Sequence, residues 1–503
     1  MRLNVLLDGV ESLVVSGSMN PDIRAICDDS RDVQPGSLFV AIKGLQSDGN
    51  CFLADAVSAG AAAVASDKCL ENFGGEFPDI AAVQVRDSRH ALGILARNFY
   101  RDPSSMLMMC GITGTNGKTT VGHLVKSILE AAGRKSGLIG TVGYEIGDER
   151  LTASHTTPSA AVLQGLLGQM VQRGVTEAVI EVTSHALALS RTSGCLFDIV
   201  VFTNVTRDHF DFHGDIETYF NVKLRLFSSE LLKPVTDFSA VRAFINLDDP
   251  YGERVRSACS VLAWGYAIDC HADIRADDIV IAFEGTSFTA QTPMGSFEVQ
   301  SALLGRHNVY NILAAIGVGL SRGCSIESIQ EGIASLRCVP GRFEKIDEGQ
   351  GYGVVVDYAH TDDALDKLLN TARSLTAGRL ITVFGCGGDR DQGKRSAMGK
   401  TASTLSDLLI VTSDNPRTED PNQIIRDVMD GIASSETSSA YEVIPDRKEA
   451  IVTAVRSARP GDLVVIAGKG HEAYQIVGDR RLHFDDRCVV REAIVSGHGQ
   501  LHS

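Results

Sequence analysis

"TGTNGKTT", Thr113–Thr120, is a glycine-rich run that lies between an apolar stretch and an amphipathic one. A loop that grips phosphate needs glycines so that backbone N–H groups can turn inward, a lysine for charge, and a Ser/Thr hydroxyl for Mg²⁺. Gly114, Gly117, Lys118 and Thr119 supply those parts. The strict G-x-x-x-x-G-K-[ST] spacing fails by one residue, because Ile112 holds the first slot and Gly111 lies just before it. The surroundings still fit. "MLMMCGI" (106–112) has strand length, and Val121, Leu124, Val125, Ile128, Leu129 and Ala132 then fall on one helical face, with Gly133 placed to cap it. The sequence therefore predicts a nucleotide-binding strand–loop–helix. Switches, motors and kinases share such a loop, so it does not name a reaction.

Working outward, three blocks differ in texture. Residues 1–98 alternate short strand-like runs, "SLFVAIKG" and "AAAVASD", with Ala-rich helical stretches, and the polar "RDPSS" (101–105) reads as a linker. Residues 99–337 carry the loop and further strand-like runs: "AVIEV" (178–182), "DIVVFTN" (198–204) and "AFINLDD" (243–249). "CVPGRFEKI" (338–346) marks a second break. In residues 338–503 one arrangement recurs: "GVVVDYAH" (353–360), "LITVFGCGGDR" (380–390), "LLIVTSDNPR" (408–417) and "LVVIAGKGHE" (463–472) each run from apolar strand into a polar end. Apolar strands alternating with amphipathic helices predict parallel sheets covered on both faces, with ligands beyond the carboxyl ends of the strands. The expected fold is α/β in three domains. The first would bind a nucleotide sugar, the second would be P-loop ATPase-like and the third Rossmann-like.

Bulk properties narrow the function. At 503 residues the chain is too long for one core, and a net charge of −16 argues against nucleic-acid or anionic-membrane partners. Asp8 and Glu11 interrupt the N-terminal apolar run, so no export signal is read, and no run approaches the roughly 18 apolar residues of a membrane span. Eleven cysteines without a C-x-x-C pair suit reduced thiols in a cytoplasm. Glu181 ends an apolar strand, where its carboxylate could share a Mg²⁺ with Thr119. "TRDHFDFH" gathers Asp208, His209, Asp211 and His213, an oxygen-rich set better matched to Mg²⁺ than to zinc, although His213 also reads as a structural histidine.

Together, "GTNGKTT", "EVTSHAL", "FTNVTRDHFDFHG", "YFNVKLRLF", "GRHNVYNILAA", "GRFE", "VDYAHT", "GCGGDRDQGKR", "SDNPR" and "GKGHE" resemble the Mur ligases of peptidoglycan synthesis, in family order. "DDSRDVQPGSLFVAIKG" extends the resemblance into the first block, and the nearest likeness is to the MurE-type branch. The resemblance implies an ATP-dependent acid–amino-acid ligase. It would phosphorylate the terminal carboxylate of UDP-N-acetylmuramoyl-L-alanyl-D-glutamate and let an amine displace phosphate from the acyl phosphate. It also implies roles for residues. Gly114, Thr115, Asn116, Gly117, Lys118, Thr119 and Thr120, with Asn308, Arg342 and Asp357, would hold ATP. Thr119, Glu181 and His209 would hold Mg²⁺. Lys118, His209 and Lys223 would be catalytic, with Lys223 carrying a CO₂-derived carbamate as N6-carboxylysine. By spacing alone Lys223 is an ordinary helix lysine one turn after Tyr219. Ser30, Gln46, Thr156, Thr157, Thr183, Arg191 and Lys223 would bind the UDP-muramoyl-dipeptide. Thr183 stands where many relatives have Ser, and Leu189 where some have Gln. His360 also matches a family position, although a capping or packing role fits it equally.

The added amino acid is expected to be meso-diaminopimelate, which differs from lysine by a second carboxylate. A guanidinium recognises carboxylate with two parallel hydrogen bonds, which gives Arg417 of "DNPR" a physical purpose that turn chemistry does not. The resemblance assigns Arg390, Asp414, Asn415, Pro416, Arg417, Gly468 and Glu472 to that subsite, with Glu472 suited to the far ammonium. Three alternatives stand beside this expectation: a lysine-adding ligase of the same family, a folylpolyglutamate synthase-like ligase, and a P-loop ATPase switch. The expected partners are small molecules alone, in a cytoplasmic monomer.

Overall fold

The computed structural model describes residues 1–498 except 19, 45–46, 71–72, 235, 238 and 436–439. Among the described residues the strands form three main sheets and one hairpin. The first sheet draws on Ser12–Ser16, Ala25–Cys27, Ser37–Ala41, Ala63–Ser66 and Ala81–Val85; only the Ser12–Ser16 edge runs antiparallel. Helix Ser88–Phe99 lays Ala91, Leu92, Leu95 and Ala96 on it, and its first turn is capped by the Asp87 carboxylate.

The central sheet has eleven strands. Its parallel heart runs, in spatial order, Ala263–Ala267, Ala243–Asn246, Ile199–Phe202, Met108–Thr113, Glu177–Glu181 and Ser136–Ile139. Met108–Thr113 is buried along its whole length, which is why its sequence is continuously apolar rather than alternating. Ile112 and Val179 face helices Lys118–Ala131 and Arg306–Ser321; Met109 and Ile180 face a second core with Leu166, Phe202 and Tyr219. Val121, Leu124, Val125, Ile128 and Leu129 are buried, and Gly133 takes φ +75° just beyond the helix end, as the sequence pattern predicts.

In the third sheet, parallel strands Gly353–Asp357, Leu463–Ala467, Leu380–Phe384, Leu408–Val411 and Ala440–Val443 lie in that spatial order, with Glu344–Lys345 antiparallel at one edge. Apolar clusters cover both faces. The return of Leu463–Ala467 between two earlier strands brings the turns after residues 357, 384, 411 and 467 to one end of the sheet.

The junctions differ from linkers. Arg101 and Asp102 adopt left-handed backbone and Pro103 opens a one-turn helix, so "RDPSS" is an ordered corner. Tyr100 packs where a Cβ on Gly165 or Gly168 of the central helix Ala160–Gln172 would stand, and the Ser159 hydroxyl donates to Asp28 of the first block. At the second break Gly341 (φ +68°) passes so close to the backbone of His471 that a Cβ would lie 2.1 Å from its amide nitrogen.

Candidate active site

The turn after Met108–Thr113 is held in place from its neighbours. Gly114 has φ +150°, and a Cβ there would lie 1.8 Å from the Thr203 hydroxyl; Gly117, φ +90°, has the Asn311 side-chain oxygen 2.4 Å from its would-be Cβ. Asn116 N–H donates to the Asn204 side chain at 2.9 Å, and Thr203 donates to the Asn116 carbonyl at 2.6 Å. The residues after the neighbouring strand Ile199–Phe202 and the helix Arg306–Ser321 thus both shape the loop. Thr115 meets the Tyr219 hydroxyl at 3.1 Å, and Thr120 is buried in the first helical turn.

Lys118 Nζ folds back onto the carbonyls of Gly114 and Thr115, at 2.8 and 2.9 Å. Lys223 Nζ donates to the same Gly114 carbonyl at 2.8 Å, fully buried, 4.4 Å from the centre of the Tyr219 ring. Burial pushes the Lys223 amine well below the ordinary lysine range, the Lys118 charge adds to the push, and Asp208 opposes it. The helix-surface expectation for Lys223 is replaced by a core position. Helix Ile216–Leu224 buries Tyr219, Phe220 and Lys223 on one face.

Thr119 donates to Glu181 at 2.9 Å, and Thr141 binds both Glu181 oxygens, by its amide at 2.9 Å and its hydroxyl at 3.0 Å. A Cβ on Gly140 would stand 2.1 Å from Glu181 Oε1, so this carboxylate needs that glycine beside it. A buried carboxylate with two hydroxyls is an all-oxygen donor set that fits Mg²⁺. Thr141 comes from the turn after Ser136–Ile139 and was not singled out in the sequence; a Gly-Thr pair closing an apolar strand is the signal it offered. Arg342 reaches across from the third sheet to Thr119 at 3.3 Å, its guanidinium 4.5 Å from the centre of the Tyr358 ring. Asp363, also from the third unit, accepts from Asn116 at 2.9 Å and from Thr206 at 3.3 Å.

His209 lies within reach of the Lys118 and Lys223 charges. It takes left-handed backbone (φ +56°), lies 3.3 Å from Asp208 and stacks edge-on against His185 at 4.7 Å. Burial holds its pKa down to about 4 against the pull of Asp208, which leaves a neutral imidazole able to bind a cation. His213 meets the Ser184 hydroxyl at 3.0 Å, a structural hydrogen bond. Among the described residues no three His, Cys, Asp or Glu side chains converge as a metal cluster.

Asn308 binds the Leu304 carbonyl and accepts from Asn311, the residue beneath Gly117. Each Asp357 oxygen already accepts an amide, from Phe343 and from Ala359 at 2.7 Å, so a sugar hydroxyl would find only second lone pairs. His360 Nδ1 lies 2.9 Å from the Tyr358 carbonyl.

Next to the Glu181 cluster, Thr156 meets Thr141 at 3.1 Å, Thr157 donates to the Glu181 carbonyl and meets Thr183 at 3.3 Å, and Arg191 donates to the Thr157 carbonyl at 2.8 Å. Ser30 begins a one-turn helix capped by Asp29, two residues beyond the Asp28–Ser159 contact. Leu189 caps the short helix Ser184–Ala188, and Gln46 lies outside the described residues.

At the carboxyl end of the third sheet Arg417 holds left-handed backbone (φ +53°) and donates Nη1 to the Gly388 carbonyl at 2.6 Å. Burial pushes its pKa down and Arg390 adds to the push, with Asp414 and Glu472 opposing. Such a site favours an anion. Asn415 donates to Glu472 at 3.0 Å, and Gly468 (φ +114°) leaves room for Asp414, whose Oδ2 would be 2.7 Å from a Cβ. The Pro416 carbonyl lies 2.0 Å from a would-be Cβ on Gly388. Hairpin Tyr474–Val477/Arg480–His483 bonds to the backbone of Arg417 through Ile476 and Gly478, an arrangement the sequence did not announce.

Known proteins resemble this chain along nearly its whole length. A family model for the Mur ligase middle domain matches residues 112–319, one for the Mur ligase glutamate ligase domain matches 341–470, and one for the Mur ligase family catalytic domain matches 22–100. UDP-N-acetylmuramoyl-L-alanyl-D-glutamate–2,6-diaminopimelate ligases are similar along nearly the whole chain. That of Solibacter usitatus is 46% identical over 95% of this chain and 94% of its own. That of Geobacillus thermodenitrificans is 44% identical over 98% and 99%. A solved structure of a ligase of the same name is 35% identical, with a TM-score of 0.66 over 95% of both chains. MurF ligase from Thermotoga maritima in complex with ADP is 18% identical, with a TM-score of 0.61 over 95% of this chain and 97% of its own, a likeness of fold. With three family models in chain order and these relatives, the chain belongs to the Mur ligase family.

Proposed function

We propose that this protein is the ligase that uses ATP to join meso-diaminopimelate to UDP-N-acetylmuramoyl-L-alanyl-D-glutamate, in the cytoplasm. Residues 1–98 take the nucleotide sugar, 99–337 the ATP, and 338–503 the amino acid. The observation that carries the substrate is the pairing, at one sheet end, of Arg417 with Glu472: a guanidinium for the far carboxylate and a carboxylate for the far ammonium of one diamino acid.

A free carboxylate is a poor acyl donor. Its oxygen attacks the γ-phosphorus of ATP, the bond to ADP breaks, and an acyl phosphate forms. The amine then attacks the acyl carbon, and inorganic phosphate leaves with the former carboxylate oxygen. Lys118 and the loop amides steady the transferring phosphoryl group once Lys118 leaves the Gly114 and Thr115 carbonyls. Thr119 and Glu181 would hold Mg²⁺, which would supply charge neutralisation, and His209 would bind a second ion. A neutral Lys223 amine is the form that adds CO₂, so burial favours its carbamate. Arg342 and Asp363 bring the third unit against the nucleotide loop, which excludes water from the acyl phosphate. Thr156, Thr157, Thr183 and Arg191 line the dipeptide.

The test measures ADP release with the UDP-muramoyl-dipeptide present and meso-diaminopimelate, L-lysine or ornithine supplied in turn. Turnover that needs both the dipeptide and meso-diaminopimelate is expected. Turnover indifferent to either overturns the proposal, as does ¹⁸O in the dipeptide's terminal carboxylate that never reaches released phosphate.

A further inference from the structure

Lys469 has 0% of its side chain exposed, although nothing in the reaction above uses it. A buried ammonium costs several kcal/mol unless it is well partnered, and a methionine would fill the same space without that cost. Its partners all belong to the amino-acid subsite. Nζ lies 3.2 Å from Glu472 Oε2, 3.3 Å from Asn415 Oδ1 and 3.9 Å from Asp414 Oδ1, with the Tyr474 ring 5.4 Å away. Gly468 and Gly470, both at positive φ, flank it, and each sits where a Cβ would strike a neighbour: Asp414 Oδ2 for the first and the Gly341 carbonyl for the second. The backbone therefore holds Lys469 inside the turn.

The consequence falls on Glu472. Its Oε2 is taken by Lys469 and by the Asn415 amide at 3.0 Å, while its Oε1 is free of both. Asp414 and Glu472 share the one lysine, and nearby Arg447 is matched by Asp486 at 2.7 Å. This half of the subsite thus carries one negative charge in excess, and the opposite half holds the guanidiniums of Arg417 and Arg390. We propose that Lys469 is a positioning residue of the amino-acid subsite: by lying between Asp414 and Glu472 it holds Glu472 Oε2 in place and turns Glu472 Oε1 toward the side-chain ammonium of the incoming diamino acid. Without it, Glu472 would lose the partner that fixes its carboxylate, and the ammonium would lose an oriented counter-charge.

This rests on the proposed reaction, and the test separates the two. Steady-state KM values for amino acid, ATP and UDP-muramoyl-dipeptide are measured for the wild type, Lys469→Met, Glu472→Gln and the double variant, alongside thermal melting. The expected result for Lys469→Met is a KM for the amino acid raised about ten-fold or more, one charge-assisted contact's worth, with the other two KM values within about two-fold and the variant still folded at the assay temperature. Because Lys469 acts through Glu472, the double variant should be little worse than Glu472→Gln alone. An unchanged amino-acid KM, effects that multiply, or all three KM values rising with a lower melting temperature would each overturn the proposal. If the wild type prefers L-lysine to meso-diaminopimelate, the substrate assignment fails. The Lys469 ratios are then read with lysine, whose side-chain ammonium needs Glu472 equally.

Discussion

Replacing Arg417 by lysine keeps the charge and the aliphatic stem, and it leaves the backbone problem untouched, since both residues meet the same strain at φ +53°. What changes is the number of donors. Arg417 spends Nη1 on the Gly388 carbonyl at 2.6 Å and has Nε and Nη2 left for a substrate carboxylate. A lysine has a single nitrogen, which can bond Gly388 and touch the substrate at one point but cannot give a carboxylate two parallel hydrogen bonds. At least one hydrogen bond between charged groups is therefore lost, which costs about 1.5–3 kcal/mol. That corresponds to a rise of roughly 10- to 150-fold in the KM for meso-diaminopimelate. The assay follows ADP release at saturating ATP and UDP-muramoyl-dipeptide while the amino acid is titrated. The KM for ATP should stay put, because the Arg417 turn makes no contact with the Thr119–Glu181 cluster. An unchanged KM for meso-diaminopimelate would refute the assignment, and so would equal rises for all three substrates.

Lys223→Ala should be nearly inactive at unchanged stability and partly restored by short-chain carboxylic acids that stand in for the carbamate; full activity without additives would exclude the modified lysine. Asp486→Asn should lower stability by about 3–5 kcal/mol in chemical denaturation, because Arg447 and Asp486 are both 0% exposed and the arginine would be left unpaired. A loss under about 1 kcal/mol would contradict that. Burial lowers the pKa of His185, His307 and His360 to about 4 and that of His471 to about 3. Unfolded histidines titrate near 6.5, so between about pH 6.5 and 4 the unfolded chain binds protons that the folded one refuses. Stability must therefore fall as pH falls through that window. A urea midpoint that is flat or rising from pH 7 to 5 would show these rings to be charged in the fold.

How much was legible in the sequence follows from how local each feature is. The strand–loop–helix at Met108–Ala131 could be read because glycine spacing, an apolar run and a 3.6-residue face all lie within one short window. The four polar strand ends of the third unit were readable for the same reason. Glu181 and Thr119 were each visible as chemistry, but their 2.9 Å contact exists only because parallel pairing sets Glu181 beside Ile112, at the end of the loop's own strand. Lys223 is the sharpest case. Periodicity makes it a surface lysine, and only the packing of Ile216–Leu224 against the Gly114 turn buries it and lowers its pKa. Thr141, Asp363 and Lys469 gained their roles in the same way, from partners 22 to 247 residues away for the first two and from two inward-turning glycines for the third. The sequence by itself determined the elements, the three-part layout and the family, because propensity, periodicity and ordered motifs are properties of the chain. Which charges are buried, which oxygens remain free and which block reaches into another's site were decided by tertiary structure, because burial and Coulomb energy depend on distance in space and not on separation along the chain.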